Sequence, residues 1–276
     1  MTTADDKALM TRPPEGDWLG TPYITLQREG SIATITVDRL EARNALTPAM
    51  YFAVRYAVDL VNSDDDLAGL IITGKEDAFI PGGDLGGGAL QEWPGLRLIG
   101  NDILPFDAIR FSRKPVVSAI NGICQGGGLL IAIMSDVAVA SERATFRAPE
   151  LYRGIADTGY AEYLPPQIGP ARAKDMLFTG RKVTAAEAEA WGLIARMVPH
   201  EQLMDEAREA LAQAARCAPQ ARAEVKRIIS TSYGFYDRMT MLESLSGPET
   251  VEGFMAFKER RQPAWIPSDL QTDGRL

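Results

Sequence analysis

An α/β fold is predicted for this 276-residue chain by three observations. Short β-rich runs lead repeatedly into helical patterns through glycine-rich turns. The composition, 46% hydrophobic and 24% charged, is that of a globular protein. The length is enough for one large core with an appendage. Residues 1–20, with Asp5-Asp6-Lys7 and Pro13-Pro14-Glu15-Gly16, read as a flexible polar lead. Residues 23–28 and 32–37 are β-rich runs joined by Glu29-Gly30-Ser31, a hairpin signal. Thr47 then caps a helix with Pro48 in its first position, and Met50, Ala53, Val54, Ala57, Val58 and Val61 follow at helical spacing. Leu70-Ile71-Ile72 is a buried strand ending at Thr73-Gly74, and 116–120 is another, running through Gly126-Gly127-Gly128 into an apolar helix over 129–134. Residues 136–140 return to strand. Gly169-Pro170 opens a short helix, Thr184 with Glu187 forms a capping box for a helix closed at Gly192, and 194–198 is the last strand. From about Glu201 only helical patterns remain, broken at Pro219, Gly234 and Pro248. The expected organisation is therefore a lead over 1–20, an α/β core over 21–200 and a helical region over 201–276.

Composition excludes several classes. With 29 Lys and Arg against 37 Asp and Glu, the formal charge is −8 and no basic run offers a nucleic-acid surface. The most apolar stretch, 116–140, is interrupted by Asn121, Gln125 and Asp136 and cannot span a bilayer. Two cysteines and no basic-then-apolar leader fit a reduced, cytoplasmic compartment. The single histidine, His200, rules out a three-His zinc site and H-E-x-x-H, so no metal is expected. It follows Pro199 and reads as an exposed helix-start residue, while Cys124, its only conceivable thiol partner, reads as a small hydrophobe at a strand end.

Two turns point to chemistry: Ile80-Pro81-Gly82-Gly83-Asp84-Leu85, after Phe79, and Gly126-Gly127-Gly128 at a helix start. Glycine lets a main chain approach a ligand, and N–H groups at a helix start carry partial positive charge. Two such groups aimed at one oxygen form an oxyanion hole; the same clusters also serve plain tight turns or close packing. Neither turn fits a phosphate-binding glycine pattern.

Taken together, Arg39-Leu-Glu-Ala-Arg-Asn-Ala-Leu46, Ala78-Phe-Ile-Pro-Gly-Gly-Asp-Leu85 and Lys114-Pro-Val-Val-Ser-Ala-Ile-Asn-Gly122 running into Gly126-Gly-Gly128 resemble the crotonase superfamily, the enoyl-CoA hydratase/isomerase family. The likeness continues through Phe146-Arg-Ala-Pro-Glu150 with Gly154, Leu177-Phe-Thr-Gly180 and Ala188-Glu-Ala-Trp-Gly-Leu193, and covers roughly residues 22–262. The resemblance implies a crotonase-like spiral of β-β-α turns, a C-terminal helical trimerisation region giving a homotrimer or homohexamer, and an acyl-CoA thioester as substrate with no further cofactor. It places the two oxyanion donors on the N–H groups of Gly83 and Gly127. It nominates Arg43, Ala45, Phe79, Gly82, Gly83, Asp84 and Leu85 for the coenzyme A portion, with Arg43 as a solvated charge the alternative.

The chain departs from the family's hydratase pattern at the carboxylates. Hydratases of the family carry one Glu two residues after the triple glycine and a second after the Phe-x-x-Pro segment. Here the first position is Leu130, and Glu150 matches the second. Leu130 can neither place a water nor exchange protons. One carboxylate suffices to move an enoyl-CoA double bond, so the resemblance favours isomerisation with Glu150 as base. The alternatives are weak hydration, dienoyl-CoA isomerisation, thioester hydrolysis or C–C cleavage, and acyl-CoA binding without catalysis. Asp157, in Ile155-Ala-Asp-Thr-Gly159, resembles the acid of dienoyl-CoA isomerases, or it is a turn residue beside Gly159. Tyr160 and Glu162 are further pocket candidates. After Pro248, Val251, Phe254, Met255 and Phe257 form an apolar helical face expected against a second subunit. Arg260 and Arg261 either reach a neighbouring subunit's CoA phosphates or are merely solvated.

Overall fold

The computed structural model describes residues 13–84, 104–234, 237–266 and 271. In chain order the elements begin with β1 (Ile24–Glu29), β2 (Ile32–Val37), α1 (Pro48–Ser63), β3 (Gly69–Gly74), β4 (Ala78–Ile80) and α2 (Phe106–Arg110). They continue with β5 (Val116–Ile120), β6 (Ile123–Gln125), α3 (Gly127–Met134), β7 (Val137–Ser141), β8 (Thr145–Arg147), α4 (Thr158–Ile168) and α5 (Pro170–Thr179). The remainder are β9 (Val183–Thr184), α6 (Ala185–Trp191), β10 (Arg196–Val198), α7 (Leu203–Ala215), α8 (Pro219–Thr231), α9 (Arg238–Leu245) and α10 (Pro248–Glu259).

Two sheets result, one of six strands in the order β1-β2-β3-β5-β7-β10 and one of four in the order β4-β6-β8-β9. After the β1–β2 hairpin, the pairs β3–β4, β5–β6 and β7–β8 each lay one strand in the large sheet and the next in the small one, and β9 and β10 then add to the small and large sheets, so both grow in chain order. This is the predicted spiral of β-β-α turns. Only the β1–β2 hairpin of the large sheet is antiparallel, with Ile24 opposite Val37; β2, β3, β5, β7 and β10 run parallel. Strands β3 and β5 are buried almost throughout, which is why their sequences are continuous aliphatic runs rather than alternations. Two asparagines satisfy the main chain where β3 turns into β4. Asn44 donates to the carbonyls of Lys75 and Ala78, and Asn121 donates to Glu76 while accepting from the Gly74 amide. Gly122 passes so close to Asp77 that a Cβ would lie 1.8 Å from its carbonyl oxygen.

The chain forms two compact units that cut across its order. One comprises residues up to 146 with 183–233; the other comprises 147–182 with the residues from 234 onward. In the first unit, Leu203, Ala207, Ala210 and Leu211 of α7 pack on Ile71, Val117, Ala119 and Val139 of the large sheet. The first helix beyond residue 200 thus covers its own core. In the second unit, Gly253 of α10 lies against Arg153, and the Thr250 hydroxyl donates to the carbonyl of Gly154 at 3.0 Å.

Several expectations change. Of the lead over 1–20, residues 13–20 are folded: Glu15 and Trp18 form a bridge, Asp17 pairs with Arg28, and Leu19 is fully buried. A further helix, α4, has no counterpart in the sequence expectation: it is capped by Asp157 and runs through Pro165 and Pro166, which supply no amide donors near its end. His200 is half-buried, with Nδ1 at 3.0 Å from the Ser141 hydroxyl, rather than simply exposed. Within the chain α10 buries the small stripe Thr250, Gly253 and Ala256, and of the face expected against a second subunit Val251, Met255 and Phe257 are exposed. Arg261 is paired with Glu252 and Glu259 of its own segment. No described helix is long and apolar enough to cross a membrane.

Candidate active site

One set of candidate groups, in the first unit, is main chain. Gly82 stands at φ +118°, a conformation that L side chains rarely adopt, and it sets the geometry of the 82–84 turn. Leu46 flanks this turn on both sides: its amide donates to the Gly82 carbonyl at 2.9 Å, and its carbonyl accepts from the Asp84 amide at 2.8 Å. In a bridged strand alternate residues face opposite ways, so the intervening Gly83 turns its own N–H away from Leu46. That N–H has no partner among the described residues.

The second turn lies beside the first, since a Cβ built on Gly82 would sit 3.5 Å from the Gly126 Cα. Gly126, at φ +54°, places its carbonyl to accept from the amides of Leu129 and Leu130. The amides of Gly127 and Gly128 open helix α3 with no partner among the described residues, and they carry the positive end of its dipole. Close packing dictates the glycines themselves. A Cβ at Gly128 would lie 2.1 Å from the Ile80 carbonyl oxygen, and one at Gly127 would lie 2.1 Å from the hydroxyl of Tyr51.

The segments nominated for coenzyme A are tied together by Arg39. Its guanidinium donates to the Ala45 carbonyl at 3.0 Å and pairs with Asp84 at 2.9 Å. The carboxylate of Asp84 and the carbonyl of Ala45 are therefore part of the scaffold. Arg43 is exposed in a left-handed conformation, φ +49°, and its charge has no partner among the described residues. The Phe79 side chain is fully buried, leaving only its main chain for a ligand. Leu85 lies outside the described residues.

A second set of candidate groups, in the other unit, is built from side chains. Glu150 opens a 3-10 turn over Glu150–Arg153 that ends at Gly154 in the left-handed region. A Cβ at Gly154 would meet the Glu249 main chain at 2.4 Å, and one at Gly253 would meet Arg153 at 2.5 Å, so α10 rests directly on the turn that holds Glu150. Glu150 and Asp157 line a largely apolar cavity of about 170 Å³ with Leu151, Ile155, Tyr160, Leu177 and Phe178 among its walls. Oε2 of Glu150 is buried without a hydrogen-bond partner among the described residues. Burial first, and the neighbouring Asp157 charge second, push the Glu150 carboxyl up to about 8, against the smaller opposing pull of Arg153 and Arg147.

Asp157 has two roles in this arrangement. Its Oδ1 accepts from the amides of Gly159 and Tyr160 at 2.9 and 3.4 Å, which makes it the cap of α4. Burial nonetheless raises it to about 6, opposed by those same amides. Tyr160 is fully buried. The carboxylate of Glu162 lies against Gly234 rather than in the cavity wall. Leu130 is a buried α3 side chain. Among the described residues, no group of three His, Cys, Asp or Glu is arranged to hold a metal ion.

Tyr51, whose hydroxyl lies against Gly127 and Gly83, is a residue that the sequence does not single out. It lies off the apolar stripe of α1, and helical periodicity alone attaches no role to such a position.

The sequence profile of the enoyl-CoA hydratase/isomerase family matches residues 27–267. Over 253 residues the chain is 36% identical to a carnitinyl-CoA dehydratase of Salmonella enteritidis, covering 87% of this chain and 97% of that one. It is 32% identical over 253 residues to a probable mitochondrial enoyl-CoA hydratase of Dictyostelium discoideum, covering 87% and 90%. The crystal structure of an enoyl-CoA hydratase/isomerase from Pseudoalteromonas atlantica matches with a TM-score of 0.78 at 28% identity, over 88% of this chain and 100% of that one.

Proposed function

Because the chain belongs to the enoyl-CoA hydratase/isomerase family, whose enzymes act on acyl-CoA thioesters, we propose that it moves the double bond of a 3-enoyl-CoA to the 2-position, with Glu150 as the single base. The observation that carries this reading is the buried, unpartnered Oε2 of Glu150 in an apolar cavity, in a chain with Leu130 where a second acid would stand. The thioester oxygen accepts from the N–H groups of Gly83 and Gly127. The Glu150 carboxylate removes a proton from C2, and the C–H electrons pass into a dienolate whose charge rests on that oxygen. The same carboxyl, now protonated, returns the proton to C4 as the double bond settles between C2 and C3. A carboxyl raised toward neutrality is a better match to a weak carbon acid than an ordinary one. The apolar walls suit hydrocarbon next to the reacting carbons.

A second reading, addition or removal of water, is favoured by one observation: Asp157 shares the cavity and could hold the water that Leu130 cannot. Relatives named hydratase and dehydratase are consistent with it. Assaying a 3-enoyl-CoA against crotonyl-CoA separates the two. Isomerisation is expected to exceed hydration by at least tenfold, and Leu130→Glu should raise hydration. Fast hydration by the natural protein would overturn the first reading in favour of the second.

Assembly as a trimer or paired trimers belongs to the same proposal. Exposed Val225, Ile228 and Ile229 on α8, Met239 and Leu242 on α9, and Val251, Met255 and Phe257 on α10 offer apolar surface for it. Sedimentation velocity should find a trimer or hexamer at micromolar concentration; a monomer would refute this.

A further inference from the structure

We infer that the hydroxyl of Tyr51 is a third hydrogen-bond donor to the thioester oxygen, beside the N–H groups of Gly83 and Gly127. The inference rests on the oxyanion assignment above and extends it to a side chain. Its basis is position. A Cβ built on Gly127 would lie 2.1 Å from the Tyr51 hydroxyl oxygen, and one built on Gly83 would lie 3.6 Å from the same atom. The hydroxyl is thus in contact range of both glycines whose amides face no described partner.

Its placement is prepared by the chain. Thr47 caps α1 immediately after Leu46, the residue that bridges Gly83, and the Tyr51 amide donates to the Thr47 carbonyl at 3.0 Å. The buried face of α1 anchors the helix, and the Tyr51 ring meets Phe106 edge to face at 6.3 Å between centroids. The helix and the Phe106 contact restrict the ring, and a restricted hydroxyl is what electrostatic stabilisation requires. The contact also explains why position 127 excludes a Cβ: even alanine would displace the phenol. With Leu130 unable to donate a proton or a hydrogen bond, the phenol adds polar support at the carbonyl end. Glu150 remains the group that moves protons.

The test is Tyr51→Phe, which keeps the ring. With a 3-enoyl-CoA, kcat should fall about 10²-fold, the usual cost of one oxyanion donor, while KM and Tm change little. A second readout does not depend on turnover. 4-Dimethylaminocinnamoyl-CoA, whose absorbance moves to the red when its carbonyl is polarised, should show a smaller red shift on the variant than on the natural protein. Replacing Tyr51 with difluorotyrosine, a stronger donor of nearly the same shape, should move the band further to the red, so a poorly folded phenylalanine variant leaves the idea open to refutation. Equal kcat and equal band positions in all three proteins would overturn it. A protein that fails to isomerise but still shows the graded red shift would sink the isomerase reading and leave Tyr51 as donor.

Discussion

The glycine turns at 82–84 and 126–128 offer main-chain amides, whereas the cavity at Glu150 offers carboxyl groups, and the two regions are built accordingly. In the turns, the functional atoms exist at every residue, and the sequence needs only to remove side chains and aim the backbone; glycine does both. The amides that these turns offer do not titrate. In the cavity, the functional atom belongs to one side chain and takes its character from its surroundings: burial and the neighbouring Asp157 raise Glu150 to about 8. One region is therefore sensitive to added bulk and the other to charge and pH.

The largest expected effect is at Glu150. Glu150→Gln keeps the shape and removes the base, so turnover should fall by roughly 10³-fold or more with acyl-CoA affinity nearly unchanged. A variant retaining most of the natural rate would move the base elsewhere. Next come the glycines, where the comparison predicts unequal outcomes from the same substitution. Gly127→Ala drives a methyl group into the Tyr51 hydroxyl and should cost about 10²-fold in kcat together with a lower Tm. Gly83→Ala meets nothing nearer than 3.6 Å, keeps its N–H, and should change stability by no more than about 0.5 kcal/mol. Equal damage at both positions would contradict the packing described here.

A subtler effect concerns pH. The base must be ionised, so kcat/KM should rise tenfold per unit below about pH 8 and level off above it. Asp157→Asn preserves the cap, because asparagine caps as well as aspartate, but removes the charge that raises Glu150. The rising limb should move to lower pH, which a rate profile would show; an unmoved limb would mean that the two carboxyls do not interact. The same ionisation touches stability. Between the ordinary glutamate value and about 8, the folded protein retains a proton that the unfolded chain releases, so stability falls as pH rises through that window. Glu150→Gln should flatten that slope and raise Tm near pH 8.

Where a physical pattern is long enough to repeat, the sequence discloses it. The six residues expected on the buried face of α1 are all buried, and the Thr184–Glu187 capping box forms as read. Strands β3 and β5 announce themselves as aliphatic runs. The small sheet does not, because strands of two or three residues, such as β6 and β9, are too short for alternation to register. Helix α4 is masked by its two prolines. On α10 the small residues Thr250, Gly253 and Ala256 are the ones turned to the Glu150 turn, since a main chain can approach a helix closely only where side chains are small, and this contact leaves no periodic apolar signal. In the site, the glycines and Glu150 are legible through the motifs around them. Tyr51 is legible only in three dimensions, because its partners are some thirty and seventy-five residues away in the chain.

The seat of α10 on the turn holding Glu150 has a consequence for when this protein can act. A nascent chain that has reached residue 245 already carries Gly83, Gly127, Tyr51, Glu150 and Asp157. It still lacks Thr250, whose hydroxyl bonds the Gly154 carbonyl, and Gly253, against which Arg153 packs. The Glu150 turn is thus written near the middle of the message and fastened near its end. Synthesis must run about a hundred residues past Glu150 before the turn that holds it has this support, so a chain clipped before α10 lacks both the Thr250 hydrogen bond and the Gly253 contact.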